Sequence, residues 1–158
     1  MKTIKSLLLV LSISPMLAWA AGSMDSHASH DTATKSAAGQ PGKPAKVSRT
    51  INVTMSDTMR FTPDAIRVKP GETVRFVVRN VGKVEHEMVI GTASELKEHA
   101  QMMGSMPAAK HAGPNQISLA PGKRGTLVWQ FDGPGAVDFV CLVPGHFEAG
   151  MVGKVVVK

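Results

Sequence analysis

The sequence predicts an all-β sandwich with one short helix, and three observations support this prediction. Short runs rich in β-branched residues recur from about residue 47 onward, beginning with "RTINVTMS". Turn sequences separate these runs, as at Pro70-Gly71 and Pro121-Gly122. A single segment, "TASELKEHAQMM", consists mainly of good helix formers. Short strands at this spacing, bounded by Gly and Pro, are typical of a sandwich or a barrel.

The predicted elements follow one another along the chain. After "RTINVTMS", the stretch "AIRVKPGETVRFVVRN" predicts two strands around a turn, and "EHEMVI" predicts another. "ISLAPGKRGTLVWQF" repeats the pair of strands, and "AVDFVC" and "MVGKVVV" complete the sandwich. The predicted helix lies between two of these strands. Its start is marked by Thr92, which stands three residues before Glu95 in the pattern of a capping box.

The first 20 residues have the three parts of a secretory signal peptide. Lys2 and Lys5 precede an apolar run that begins at Leu7, and small residues lead to a cleavage site after Ala20. A membrane anchor is the alternative, but the apolar run is short and contains Pro15. No later stretch is long and apolar enough to cross a bilayer. We therefore expect an exported, periplasmic protein with no membrane attachment after cleavage.

The rest of the chain divides into an arm and a domain. Residues 21–46 lack aromatic residues and β-branched runs, which predicts a disordered arm. Residues 47–158 are sufficient for one domain with its own core, and we expect it to be monomeric. The formal net charge of +6 is spread among interspersed charges of both signs. A basic tract with aromatic residues is absent, so the sequence does not indicate binding to nucleic acid.

A candidate metal site lies in "CLVPGHFEAGM", where Cys141, His146 and Met151 follow one another at five-residue steps. Cys141 is the only cysteine, so it forms no intramolecular disulfide, and a lone cysteine in an exported chain suggests a ligand or a reactive thiol. The predicted strands bring these residues to one end of the sandwich, and His86 also begins a strand. Two histidines, one cysteine and one methionine suit copper in both oxidation states. Zinc is the chemical alternative, although its sites rarely use methionine.

These four residues resemble the ligand set of the cupredoxins, the blue or type 1 copper proteins. The resemblance covers residues 47–158 and implies a Greek-key sandwich with copper held by His86, Cys141, His146 and Met151. The loop spacing is similar to that of rusticyanin. The signal peptide and the arm add a similarity to periplasmic cupredoxins of bacterial copper tolerance. Many blue-copper carriers have Asn, Ser or Thr after the upstream histidine, whereas this chain has Glu87, which leaves the potential and colour of the site open.

Further methionines and histidines form two candidate auxiliary copper sites, although a polar linker and ordinary core packing are the alternatives. The first candidate lies in the arm and contains Met24, His27 and His30. The second lies on and after the helix and contains His99, Met102, Met103, Met106 and His111.

The function that we predict is copper sequestration in the periplasm, as part of copper tolerance, with copper ions and a periplasmic copper-handling protein as the expected partners. The alternative is electron transfer to a periplasmic redox partner, for which an apolar patch should surround His146. Residues that could supply this patch are Leu142, Val143, Pro144 and Phe147. We do not expect an enzyme, because the sequence has neither an open catalytic position nor a second ligand cluster.

Overall fold

The computed structural model of the protein describes residues 36–105 and 113–158. The elements within these ranges, in chain order, are β1 (Gln40–Pro41), a 3-10 helix (Pro44–Lys46), β2 (Arg49–Ser56), β3 (Arg60–Thr62), β4 (Ala65–Val68), β5 (Thr73–Asn80), β6 (His86–Gly91), α1 (Ala93–Ser105), β7 (Gln116–Leu119), β8 (Arg124–Gln130), β9 (Gly135–Val140) and β10 (Val152–Val157). None of the helices within these ranges has the length and apolarity that crossing a bilayer requires.

The strands form two five-stranded sheets, which confirms the predicted all-β sandwich with one helix. One sheet has the order β1-β8-β5-β2-β3, and the other has the order β4-β10-β9-β6-β7. Alternate side chains are buried in several strands, as in β2, where Val53 and Met55 are buried, and in β4 and β10. Two edge-to-face aromatic pairs lie in this core, Phe61 with Phe139 and Phe76 with Phe131.

The helix α1 covers the outer face of one sheet. Leu96 packs in a second buried cluster with Val89, Val140 and Leu142. Because this cluster lies on the face of β6 opposite the main core, all six residues of β6 are buried. The predicted capping box is present: the Thr92 N–H donates to the Glu95 carboxylate at 2.7 Å, and the Glu95 N–H donates to the Thr92 hydroxyl at 3.3 Å.

Residues 36–46 are placed on the sandwich, ahead of the domain boundary that we expected at residue 47. β1 pairs antiparallel with β8, and Ala38 is buried. The Trp129 indole N–H donates to the Ala38 carbonyl at 2.8 Å. The part of the predicted disordered arm from residue 36 is thus structured, because the buried indole needs an acceptor that this segment supplies. The remainder of the arm lies outside the described residues.

Three strand ends meet at one end of the sandwich. His86 is the first residue of β6, Cys141 directly follows β9, and Met151 directly precedes β10. β9 lies between β6 and β10 in the same sheet, antiparallel to both. The start of β6, the end of β9 and the start of β10 therefore lie side by side.

Candidate metal centre

The ligand loop, residues 141–151, is closed by its own backbone hydrogen bonds. The Cys141 N–H donates to the Met151 carbonyl at 3.1 Å, and the Met151 N–H donates to the His146 carbonyl at 3.0 Å. A further bond joins the His146 N–H to the Val143 carbonyl. Gly145 has a φ of 84°, a backbone conformation that glycine adopts without strain. The loop therefore returns to its starting point and brings the three predicted ligands together.

The turn before β6 positions His86 and is anchored by Asn80, a residue that the sequence analysis did not single out. The Asn80 side chain is fully buried and donates to the carbonyls of Val84 and Leu119, at 2.7 and 2.8 Å. Its oxygen accepts the N–H of Gly82 at 2.8 Å. All of its hydrogen-bonding groups except one acceptor position are thus used to hold this turn and the neighbouring β7.

His86 is oriented by the carboxylate of Asp57. The two are joined by a 3.1 Å contact between Nε2 of His86 and Oδ1 of Asp57, in which the imidazole N–H donates. Backbone N–H groups of Lys83 and Val84 also donate to Asp57. The Lys83 bond first, and then the His86 bond, lower the pKa of Asp57. This arrangement leaves Nδ1 of His86 as the nitrogen with a free lone pair.

That nitrogen is buried without a hydrogen-bond partner, and it is the one such side-chain nitrogen or oxygen in the described part of the chain. A buried polar atom with no partner is costly unless something else satisfies it. His86, Cys141 and His146 each offer a ligand atom, and these atoms lie within 4.8 Å of one another. Sγ of Cys141 and Nδ1 of His146 are 3.3 Å apart. A copper ion fits this donor set, because it would bind the free nitrogen of His86 together with the thiolate of Cys141 and the imidazole of His146.

The Cys141 thiol is fully buried, and its surroundings favour the protonated form. Burial raises its pKa to about 11, and the charges of Glu87 and Glu85 act in the same direction. The Glu87 N–H, which donates to Sγ at 3.4 Å, opposes this rise. A thiolate here therefore needs a nearby positive charge, which a bound metal ion supplies.

His146 is suited to be a neutral ligand. Burial first, and then the proximity of His86, lower its pKa. The two imidazole rings are 4.8 Å apart between centroids, with an interplanar angle of 49°. A neutral imidazole has the lone pair that metal binding requires.

Met151 is the fourth residue of the predicted ligand set. It is fully buried in the main core cluster together with Cys141. Its backbone is paired with both Cys141 and His146, as described above. Of the sequence-predicted site residues, the structure thus brings His86, Cys141 and His146 into one cluster, with Met151 adjoining it.

Two contacts at this centre were not anticipated from the sequence. The carboxylate of Glu87, which the sequence marks only as an unusual residue beside His86, accepts the N–H of Leu142 at 2.9 Å. Arg60 donates to the carbonyls of Ala149 and Gly150 at 3.1 and 3.2 Å, and so holds the end of the ligand loop. Both contacts join residues more than 50 positions apart, and no local pattern predicts such pairs.

The predicted auxiliary sites fall largely outside the described residues. Met24, His27, His30, Met106 and His111 all lie there. On α1, His99 and Met103 are half-buried and Met102 is exposed. The expected apolar patch around His146 is smaller than predicted, because Leu142 packs under the helix. Phe147 is exposed, as expected for a residue of this patch.

Comparison with known proteins gives a consistent family assignment. Residues 47–158 match the family model of copper binding proteins of the plastocyanin/azurin family. A protein of Rubrivivax gelatinosus named copper-resistant cuproprotein CopI is 58% identical over 120 residues, covering 76% of this chain and 73% of the relative. A protein of the same name from Vibrio cholerae is 39% identical over 118 residues, covering 74% and 70%.

Solved structures show the same fold at low sequence identity. Auracyanin B superposes with a TM-score of 0.63 at 21% identity, covering 76% of this chain and 96% of that one. An azurin from Methylomonas sp. strain J superposes with a TM-score of 0.54 at 19% identity, covering 71% and 99%. The match over residues 47–158 and the 58% identity to the Rubrivivax gelatinosus protein establish that this chain belongs to the plastocyanin/azurin family of copper-binding cupredoxins.

Proposed function

We propose that this chain binds one copper ion through His86, Cys141, His146 and Met151 and serves in copper resistance by sequestering copper. The observation that carries the ligand assignment is the buried Nδ1 of His86, which has no hydrogen-bond partner, in a residue that clusters with Cys141 and His146 so that one ligand atom of each lies within 4.8 Å of the others. Copper bound there would supply a one-electron couple and a cysteine-to-copper charge-transfer band.

The protein's own residues prepare the centre before copper arrives. Asp57 binds Nε2 of His86 and so leaves Nδ1 available to the metal. The lowered pKa of His146 keeps that imidazole neutral. Burial of Cys141 excludes water and oxidants from the thiol. Preorganised ligands lose little conformational freedom on binding, which favours tight retention of the metal.

The role in copper resistance is supported by the relatives. Two proteins that match about three quarters of this chain are named copper-resistant cuproproteins. The N-terminal 20 residues have the pattern of a signal peptide, so we place sequestration in the periplasm. The role that we propose is copper binding, not catalysis.

A complementation experiment tests this role. A bacterial strain that lacks its own gene for this protein should regain growth in copper when it expresses the wild-type chain. The Cys141→Ser variant should not restore growth, because the soft ligand is lost. Gly133→Ala serves as the matched control, since nothing lies within 4 Å of the added methyl group. Equal rescue by Cys141→Ser, at equal periplasmic levels, would refute the proposal.

Electron transfer remains a second candidate because apolar side chains are exposed near the centre. Phe147 follows His146 directly and is 44% exposed, and Val81 and Val84 in the turn before His86 are 51% and 44% exposed. Such a surface suits brief docking of a redox partner. Replacing Phe147 by Ser should leave copper tolerance intact if sequestration is the role. A loss of tolerance with full copper binding would favour electron transfer instead.

A further inference from the structure

Glu87 is a buried carboxylate at the residue after His86. Its exposed fraction is only 5%. Among the residues that the structure describes, no lysine or arginine forms an ion pair with it. Burying a carboxylate without a cation is costly. The protein therefore has to stabilise this charge through hydrogen bonds or through a positive charge that the polypeptide does not itself provide.

Two hydrogen bonds hold the carboxylate. Oε1 accepts the backbone N–H of Leu142 at 2.9 Å, and Oε2 accepts the hydroxyl of Ser118 at 3.2 Å. The backbone N–H of Glu87 itself donates to Sγ of Cys141 at 3.4 Å. The side chain of Glu87 is therefore bound on both of its oxygens, one to the ligand loop and one to the neighbouring strand β7.

These bonds extend the sheet beyond its regular ladder. The pairing of β6 with β9 ends at Val89 and Val140. Glu87 lies two residues before Val89, and Leu142 lies two residues after Val140. Here the Glu87 carboxylate, and not a backbone carbonyl, accepts the N–H of Leu142. The strand that carries His86 is thus tied to the residue that follows Cys141. Ser118 lies directly opposite Glu87 on β7 and holds the carboxylate from the other side.

We propose that Glu87 is a positioning residue that holds Cys141 against His86, and that its charge lowers the reduction potential of the bound copper. This inference rests on the proposed function, because it requires copper at the His86, Cys141 and His146 ligands. Cu(II) carries one more positive charge than Cu(I), so a nearby carboxylate in a buried site favours Cu(II). The hydrogen bonds around a cysteine ligand are a known means of tuning a copper potential.

The two roles can be separated by substitution. Glu87→Gln keeps an oxygen that can accept the Leu142 N–H but removes the charge. Glu87→Ala removes both the tether and the charge. Glu148→Gln is the matched control, since it removes the same charge from an exposed side chain of the ligand loop. Ser118→Ala keeps the carboxylate and its bond to Leu142 but removes the other hydrogen bond.

The experiment is a redox titration of the copper-loaded proteins, followed by the charge-transfer band. A single nearby charge commonly changes an ionic equilibrium tenfold or more. We expect Glu87→Gln to favour Cu(I) over Cu(II) by at least tenfold relative to wild type, which is an upward shift of about 59 mV. Its band should be retained. Glu148→Gln and Ser118→Ala should change the ratio by less than threefold, and Glu87→Ala should release copper to a chelator at least tenfold faster than Glu87→Gln.

The outcomes distinguish this inference from the proposed function. A coloured wild-type protein whose Glu87→Gln variant shifts by less than tenfold would overturn the inference and leave the copper centre standing. An equal shift in Glu148→Gln would do the same, because any loop charge would then suffice. A tenfold rise in Ser118→Ala would attribute the potential to hydrogen bonding and not to charge. A wild-type protein with no charge-transfer band would overturn the proposed centre, and this inference with it.

Discussion

Asn80→Ala should destabilise the copper-free protein by about 2–4 kcal/mol, because its side chain anchors the turn that carries His86. The substitution removes three hydrogen bonds, to Val84, Leu119 and Gly82. Each is worth about 1 kcal/mol, and a buried carbonyl left without a partner costs about 1–3 kcal/mol. The lower end of the expected range applies if water replaces Asn80 at the Val84 carbonyl, because that bond is only partly buried whereas the bond to the Leu119 carbonyl is buried.

The assay is urea unfolding of the copper-free protein, with two-state analysis of the free energy of unfolding. Asn52→Ala is the control, because Asn52 is an exposed residue of β2 and its truncation should change stability by at most about 0.5 kcal/mol. Asn80→Asp should also destabilise, since it replaces a double donor by an oxygen that faces two carbonyls. A loss below about 1 kcal/mol in Asn80→Ala would refute the anchoring role.

Three further predictions concern the site, the helix cap and the core. Asp57→Ala should weaken copper binding about 10- to 100-fold in a chelator competition, because His86 loses the acceptor that orients it; unchanged affinity would remove Asp57 from the account. Burial raises the pKa of Glu95, but hydrogen bonds from Thr92 and Ser36 outweigh it and the net pKa is lowered. The stabilisation by this carboxylate is therefore present above about pH 4.5 and is lost as pH falls through the lower folded-state pKa. Thermal unfolding should show Glu95→Gln to be less stable than wild type at pH 7, with the gap closing toward pH 3; a gap independent of pH would contradict this. Gly153→Ala should lower the free energy of unfolding in urea by about 1–3 kcal/mol, because the added methyl group meets the buried Phe139 ring. A stability equal to that of Gly133→Ala would show that the ring moves aside without loss.

The strands and the helix were predictable because their signals are local. β-Branched runs and Pro-Gly turns predicted β2 and the two pairs that flank the turns at Pro70 and Pro121, and the capping box predicted the start of α1. β1 and β3, with two and three residues, were missed. Such short strands have no pattern of their own and exist because a neighbouring strand pairs with them.

The copper centre was predictable in part for the same reason. Cys141, His146 and Met151 share one loop, and His86 begins a strand, so spacing and strand order sufficed to group them. Asp57 was not predictable as a support, because it binds a turn that lies more than 25 residues further along the chain. Asn80 directly precedes the turn that it holds, but its bond to the Leu119 carbonyl joins residues 39 positions apart, and no local pattern predicts such a bond. Leu142 shows the converse: its apolar character suggested an exposed patch, but the helix α1 covers it.

The most direct test of the copper centre is a Cu(II) titration of the purified protein, followed by optical absorption and electron paramagnetic resonance. The wild-type protein should develop an intense cysteine-to-copper band that saturates at one copper per chain, and Cys141→Ser should develop none. Copper bound beyond one equivalent without added colour would reveal auxiliary sites and would leave the centre intact. The absence of the band from the wild-type protein, or its persistence in Cys141→Ser, would contradict the assignment of His86, Cys141, His146 and Met151 as the ligands.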